Sequence, residues 1–99
     1  CVHCGAAVRP GVVWFGESLS QAALQRAFDA AGECDLLLSV GTSGLVYPAA
    51  QVPQIAVRNG ACVVHVNPQP VALGGAREYS LAGAAGTVLP QLLRAAFGD

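Results

Sequence analysis

Three short apolar runs punctuate the chain, separated by stretches that carry either helical periodicity or turn chemistry. Leu36-Leu37-Leu38-Ser39-Val40 lacks the polar alternation of a half-exposed strand and breaks directly into Gly41-Thr42-Ser43. A strand covered on both faces of a parallel sheet has this pattern. Val12-Val13-Trp14-Phe15 has the β-branched and aromatic character of a second buried strand, with Gly16 ending it where another backbone can approach. Ala61 to Val66 is a third, cut off by Asn67-Pro68-Gln69-Pro70. Between the first two runs, Ala23, Leu24, Ala27, Phe28 and Ala31 recur at helical spacing, with Gln25, Arg26 and Asp29 on the other side. Ser20 supplies an N-cap and Gly32 a stop. Strand, helix and strand in this order predict a right-handed crossover and a parallel pair, Val12–Phe15 with Leu36–Val40.

The second half repeats the alternation more weakly. Pro53 is tolerated only in a first turn, so one turn follows Pro48 and a longer helix runs from Pro53 to Asn59, with Gly60 beyond it. Glu78 to Ala82 alternates enough for a short edge strand, and Val71 to Ala76 is a loop of no clear function. After Gly83-Ala84-Ala85-Gly86-Thr87 a last helix carries Leu89, Leu92, Leu93, Ala96 and Phe97 on one face, with Pro90 early enough to be accepted. The pattern predicts an α/β fold, a parallel sheet of three or four strands with flanking helices.

Composition changes this picture in one respect. With 99 residues, 54% hydrophobic and 11% charged, the chain is unusually core-like for its size, as if it were the inside of something larger. It also opens on Cys1 rather than Met and shows no signal-peptide pattern, which points to a piece of a longer protein. A net charge of -1, with five basic residues scattered singly, provides no footprint for nucleic acid and no polybasic membrane patch. The uncharged stretch Leu36–Val57 is long enough to span a bilayer, but Gly41, Gly44, Pro48 and Pro53 would break the helix that spanning requires. A soluble, cytoplasmic protein is expected.

Candidate chemistry sits at the ends of the predicted strands. Ligands in open α/β sheets bind at the carboxyl ends of the strands. Gly41 admits a close backbone approach, and Thr42 and Ser43 offer hydroxyls and amides suited to ribose or phosphate oxygens, although the same residues also make an ordinary turn. Asn67 ends the next strand, where its amide can meet ribose hydroxyls or merely start a turn before Pro68. His65 points away from Val64 and Val66 and reads as a strand-surface histidine rather than a catalytic base. Of four cysteines, Cys1 and Cys4 form a Cys-x-x-Cys-Gly knuckle, half of a tetrahedral zinc site, with a redox dithiol or a disulfide as the alternatives. Cys34 and Cys62 fit packing better than ligation. The missing pair of ligands is expected upstream of Cys1.

Taken in order and spacing, Cys-x-x-Cys-Gly, Arg-Pro-x-Val-Val-Trp-Phe-Gly-Glu, Gly-Thr-Ser with Val-Tyr-Pro-Ala-Ala, Val-Asn-Pro, and Gly-x-Ala-Gly-x-Val-Leu-Pro resemble the C-terminal part of a sirtuin, over essentially the whole chain. The resemblance is greatest to bacterial members and to those acting on lysines with short or acidic acyl groups. It implies a Rossmann-like, NAD-dependent protein-lysine deacylase with a zinc ribbon: residues 1–8 as its second knuckle, residues 9–99 as the C-terminal part of the NAD-binding domain. Cys1 and Cys4 then resemble half of a structural Zn²⁺ site. Gly41, Thr42 and Ser43 resemble the loop at the NAD ribose and phosphates, Asn67 the adenosine-ribose contact, and Ala85 the backbone position near the adenine. Val13, Phe15, Gly16 and Glu17 resemble the wall that holds an acylated-lysine protein substrate, whose backbone adds as a strand.

The resemblance also implies what lies elsewhere. The family's Gly-Ala-Gly phosphate loop, catalytic histidine, first Cys-x-x-Cys and acyl-selecting residues all precede the equivalent of Cys1, so the chain holds no catalytic residue and its acyl preference is unreadable. Gln69 stands where an acidic residue often follows the asparagine. Two other functions compete: an NAD hydrolase of related fold, and a non-enzymatic nucleotide-binding module. Neither needs the peptide-pairing strand end that Trp14-Phe15-Gly16-Glu17 resembles.

Overall fold

A computed structural model describes every residue from Cys1 to Asp99. Helix α1 (Gln21–Glu33) starts where the Ser20 Oγ accepts from the Ala23 amide at 3.3 Å, the N-cap expected from sequence. It does not stop at Gly32, which lies inside it. The chain leaves the helix at Cys34, whose backbone turns extended and whose amide still bonds the Ala30 carbonyl. A glycine lowers helix propensity without forbidding a further residue. Strand β1 (Leu36–Val40) follows, then a turn through Tyr47–Ala50 and helix α2 (Gln51–Arg58), with Pro53 in its first turn and Gly60 beyond its end at φ +82°. Strand β2 (Cys62–Asn67), strand β3 (Glu78–Ala82) and helix α3 (Ala85–Phe97) complete the chain.

The three strands are parallel in the order β1-β2-β3, with Leu36 opposite Cys62 and Val63 opposite Glu78. Glu78–Ala82 is therefore an edge strand, as its weak alternation predicts. Val12–Phe15 is not a strand. Val12, Val13, Trp14 and Phe15 are 56%, 49%, 53% and 92% exposed, and the Glu17 amide closes a turn on the Trp14 carbonyl at 3.0 Å. The expected pair with Leu36–Val40 is absent, which leaves the outer edge of β1 open. An apolar β-branched run needs a neighbouring strand to become one; local bonds fold this one back on itself.

Where α1 and α2 pack together over the sheet, Ala31, Ala56, Ala61 and Val63 form the core, with Leu37, Val52 and Ile55 against them. Small side chains let the two helices approach this face. The other face of β1 is bare: Leu36, Leu38 and Val40 are 56%, 49% and 39% exposed. Helix α3 packs against β2. Only 8 of 99 residues are buried, and the radius of gyration is 16.6 Å, against about 13 Å for a compact chain of this length. No helix is long and apolar enough to cross a membrane.

The β2–β3 connection, residues 68–77, has no helix, although parallel strands usually need one to cross over. Its backbone donors are met by side chains instead. The Glu78 carboxylate accepts from the Leu73 amide at 2.5 Å and the Gly75 amide at 2.9 Å, and Ser80 Oγ accepts from the Val71 amide. Across from it, His65 Nε2 lies 2.7 Å from Glu78 Oε1, with side-chain exposures of only 2% and 6%. His65 is thus a buried, paired histidine and not a surface one. Burial pushes the Glu78 carboxyl up, but the Gly75 and Leu73 amides and His65 together outweigh it, so the group lies below its ordinary value of 4.5.

Candidate functional site

Parallel order brings the carboxyl ends of all three strands to one edge. Val40 is opposite Val66 and Asn67 opposite Ala82, and the ladder continues one step further as Gly41 donates to the Val66 carbonyl and Gly83 to that of Asn67, at 2.9 and 3.1 Å. Gly41, Thr42, Ser43, Asn67 and Ala85 are therefore gathered on this edge from three loops. Gly41 has φ +63° with open space around its Cβ position, so a group can approach its backbone. Thr42 Oγ1 and Ser43 Oγ accept from the Gly44 and Leu45 amides at 3.3 and 3.2 Å, which fixes the loop and leaves each hydroxyl hydrogen to donate. Asn67 Nδ2 donates to the Gln69 carbonyl at 3.1 Å; no bond within the chain uses its Oδ1. Ala84 caps α3 without a side-chain bond, and the Ala85 and Gly86 amides have no acceptor in the chain. The edge thus presents amides, hydroxyls and one amide oxygen, a set suited to ribose and phosphate oxygens.

A second concavity of about 600 Å³ lies beside it. Val13, Phe15, Gly16 and Glu17 form one wall, continued by Leu19 and Leu24, while Val46, Tyr47, Pro48 and Ala49 face them. The first segment is the one that the family resemblance singles out as a substrate wall; the second was not singled out. Val-Tyr-Pro-Ala-Ala was a recognisable motif, but nothing local says which segment it faces. Gln54 donates to the Tyr47 hydroxyl at 2.8 Å, tying this wall to α2. Because Gly41–Ser43 and Val46–Ala49 belong to one loop, the strand-end edge and the cavity are continuous along the chain.

Cys1 and Cys4 stand apart from both. They flank a turn in which the Gly5 amide donates to the Cys1 carbonyl at 2.9 Å, Gly5 having φ +73°. Both thiols are free and exposed, and nowhere do three or more His, Cys, Asp or Glu residues gather as a metal would need. Two thiols on such a turn fit half of a tetrahedral Zn²⁺ site and cannot complete one. Cys34 and Cys62 are half-buried; the Cys34 thiol donates to the Ala31 carbonyl.

A parallel sheet with helices packed on it, and polar backbone gathered at its carboxyl edge, defines a Rossmann-like α/β fold. The Sir2 family model matches residues 1–48. An NAD-dependent protein deacylase of Pseudomonas aeruginosa is 66% identical over 97 residues, 98% of this chain and 39% of that protein. An NAD-dependent protein deacylase of Pyrococcus furiosus is 47% identical over 93 residues, 94% of this chain and 37% of that one. Among solved structures, a Sir2 homolog–NAD complex superposes with a TM-score of 0.77 at 41% identity, over 96% of this chain and 37% of that chain. A Sir2–p53 peptide–NAD⁺ structure does so with a TM-score of 0.76 at 30% identity, over 97% and 40%. The chain belongs to the Sir2 family. It spans about two fifths of the length of the curated relatives it matches.

Proposed function

We propose that the gene product containing this chain is an NAD-dependent protein-lysine deacylase, and that the chain supplies part of its NAD site and one side of its peptide cleft. The observation that carries this reading is the loop from Gly41 to Ala49, which borders the strand-end edge with one end and the 600 Å³ cavity with the other. A reaction joining NAD to an acylated peptide needs two such sites in contact. NAD, when bound, supplies the ribose that takes the acyl group from lysine as nicotinamide leaves. This chain's own residues bind and orient. Gly41 lets backbone approach, Thr42 and Ser43 donate to ribose or phosphate oxygens, Asn67 Oδ1 accepts from the adenosine ribose, and the backbone at Ala85 lies near the adenine. Val13, Phe15, Gly16 and Glu17 hold the peptide, with Val46–Ala49 across from them.

Proton transfer falls to a residue outside this chain, since His65 is buried against Glu78 and His3 lies on the knuckle. Residues 1–8 serve as the second knuckle of a zinc ribbon, with Cys1 and Cys4 as two of four ligands, and residues 9–99 as the C-terminal part of the NAD-binding domain. The named ligands of the superposing structures, NAD and a p53 peptide, support both sites. The exposed apolar face of β1 accords with a larger domain around it, and the cytoplasm is the compartment this reading assigns. An NAD hydrolase or a plain nucleotide-binding module would leave the cavity without a purpose.

The test is incubation of the full-length product with NAD and acyl-lysine peptides, with deacylated lysine and nicotinamide followed by mass spectrometry. Peptide-dependent release of both is expected. Nicotinamide release indifferent to peptide would make it a hydrolase, and NAD binding without turnover a binding module. Residues 1–99 alone are expected to turn over nothing.

A further inference from the structure

Trp14, Phe15, Gly16 and Glu17 line the cavity yet belong to no helix or strand, so something other than a ladder must hold them. The candidates within the segment converge on one side chain. Arg9 Nη1 pairs with Glu17 Oε1 at 2.8 Å, its Nη2 donates to the Val12 carbonyl at 3.3 Å, and its guanidinium lies over the Trp14 ring, 4.0 Å from the centroid. Glu17 in turn is directed inward: its other oxygen accepts from the Trp14 amide at 3.5 Å, while its own amide donates to the Trp14 carbonyl. A planar guanidinium can serve a carboxylate, a carbonyl and an aromatic face at once, which an ammonium cannot.

We infer that Arg9 is a positioning residue for the peptide cleft, shaping the Val12–Glu17 turn through Glu17, Val12 and Trp14 without itself lining the cavity. This rests on the deacylase reading above. Its consequences follow from the geometry. Loss of Arg9 loosens the turn, which keeps its Trp14–Glu17 backbone bond, and leaves the Glu17 carboxylate without its cationic partner at the rim of the cavity. The strand-end edge, held by the β-ladder and by the Thr42 and Ser43 bonds, is untouched. The effect should therefore fall on one substrate.

The experiment is steady-state kinetics of the full-length protein and its Arg9→Ala, Arg9→Lys, Glu17→Ala and doubly substituted forms, each substrate varied with the other saturating. Arg9→Ala is expected to raise KM for the acyl-lysine peptide about three- to tenfold and to leave KM for NAD within about twofold. Arg9→Lys, which keeps the charge but neither the fork nor the stacking, should fall between, and it decides the matter if Arg9→Ala lowers the melting temperature. The double variant should be no worse than the poorer single one, because both remove the same contact. An active wild type whose Arg9→Ala form keeps its peptide KM, or raises both KM values together, overturns the inference alone. A wild type without peptide-dependent turnover overturns the deacylase reading and this inference with it.

Discussion

Removing the Glu78 carboxylate should be among the most destabilising single changes available outside the apolar core. The side chain is 6% exposed and accepts from the Leu73 and Gly75 amides and, opposite His65 Nε2, forms the buried contact of the sheet. Glu78→Ala strands all three donors. Breaking a buried pair from one side costs about 3–5 kcal/mol, and because water can reach part of the opened 71–75 segment the lower half of that range is expected. Glu78→Gln should cost less, about 1–3 kcal/mol: its oxygen can serve Leu73 and His65 while its amide group faces the Gly75 donor. Substituting leucine at both His65 and Glu78 should not restore stability, since the two backbone amides would still lack an acceptor. Urea denaturation of the full-length protein at pH 7 measures the loss, and hydrogen exchange at Leu73 and Gly75 shows whether it originates there. The carboxyl is held below 4.5 in the folded state, so its contribution is complete above that value and is lost as the pH falls through the lower, folded-state value. The gap between wild type and Glu78→Ala should accordingly narrow in acid. A Glu78→Ala protein within about 0.5 kcal/mol of wild type at pH 7, with unchanged exchange at those amides, would refute the reasoning.

If Asn67 holds the adenosine ribose as proposed, Asn67→Ala should raise KM for NAD several-fold to about a hundredfold with kcat much less affected, a loss of about 1–3 kcal/mol, since such a bond would be present in ground and transition states alike. Gly16→Val should raise KM for peptide and spare that for NAD: the added Cβ meets no atom of the chain, but Gly16 sits at φ +86°, where a branched residue is strained and its side chain enters the cleft. Gly75→Ala places a Cβ 2.7 Å from Val57 Cγ1, a stiff β-branched neighbour, and should cost about 1–3 kcal/mol by pushing the 68–77 connection off α2, measured by denaturation. Residues 1–99 alone should hold Zn²⁺ weakly and the full-length protein tightly through four thiolates; one tight zinc per isolated chain, requiring Cys34 or Cys62, would refute the assignment.

Elements whose signals are local were legible in the sequence. The Ser20 cap, the apolar runs at Leu36–Val40 and Cys62–Val66 and the turn residues after Arg58 each act through neighbours a few positions away, so pattern and outcome agree. Val12–Phe15 was misread because a buried strand and an apolar cavity wall share the same composition, and only the presence of a neighbouring strand distinguishes them. His65 was misread for a related reason. Alternation tells which face a side chain takes but not what covers that face, and the cover here is a helix-free connection anchored by Glu78, thirteen residues away. The strand-end residues do share one edge, because a parallel sheet puts every carboxyl end there whatever the details.

That rule lets the strand-end edge be placed without knowing the sheet order, whereas it says nothing of which segments face each other across the cavity. An edge is a property of strand direction, whereas a cavity is a property of two segments meeting. Here the meeting is arranged by one loop. The Gly41–Val66 bond ties its first residue to the ladder, the Thr42–Gly44 and Ser43–Leu45 bonds stiffen its first half, and the Tyr47–Gln54 bond fastens its second half to α2. Residues that border only the strand-end edge, such as Asn67, or only the cavity, such as Gly16, should therefore affect one substrate of the proposed reaction and spare the other.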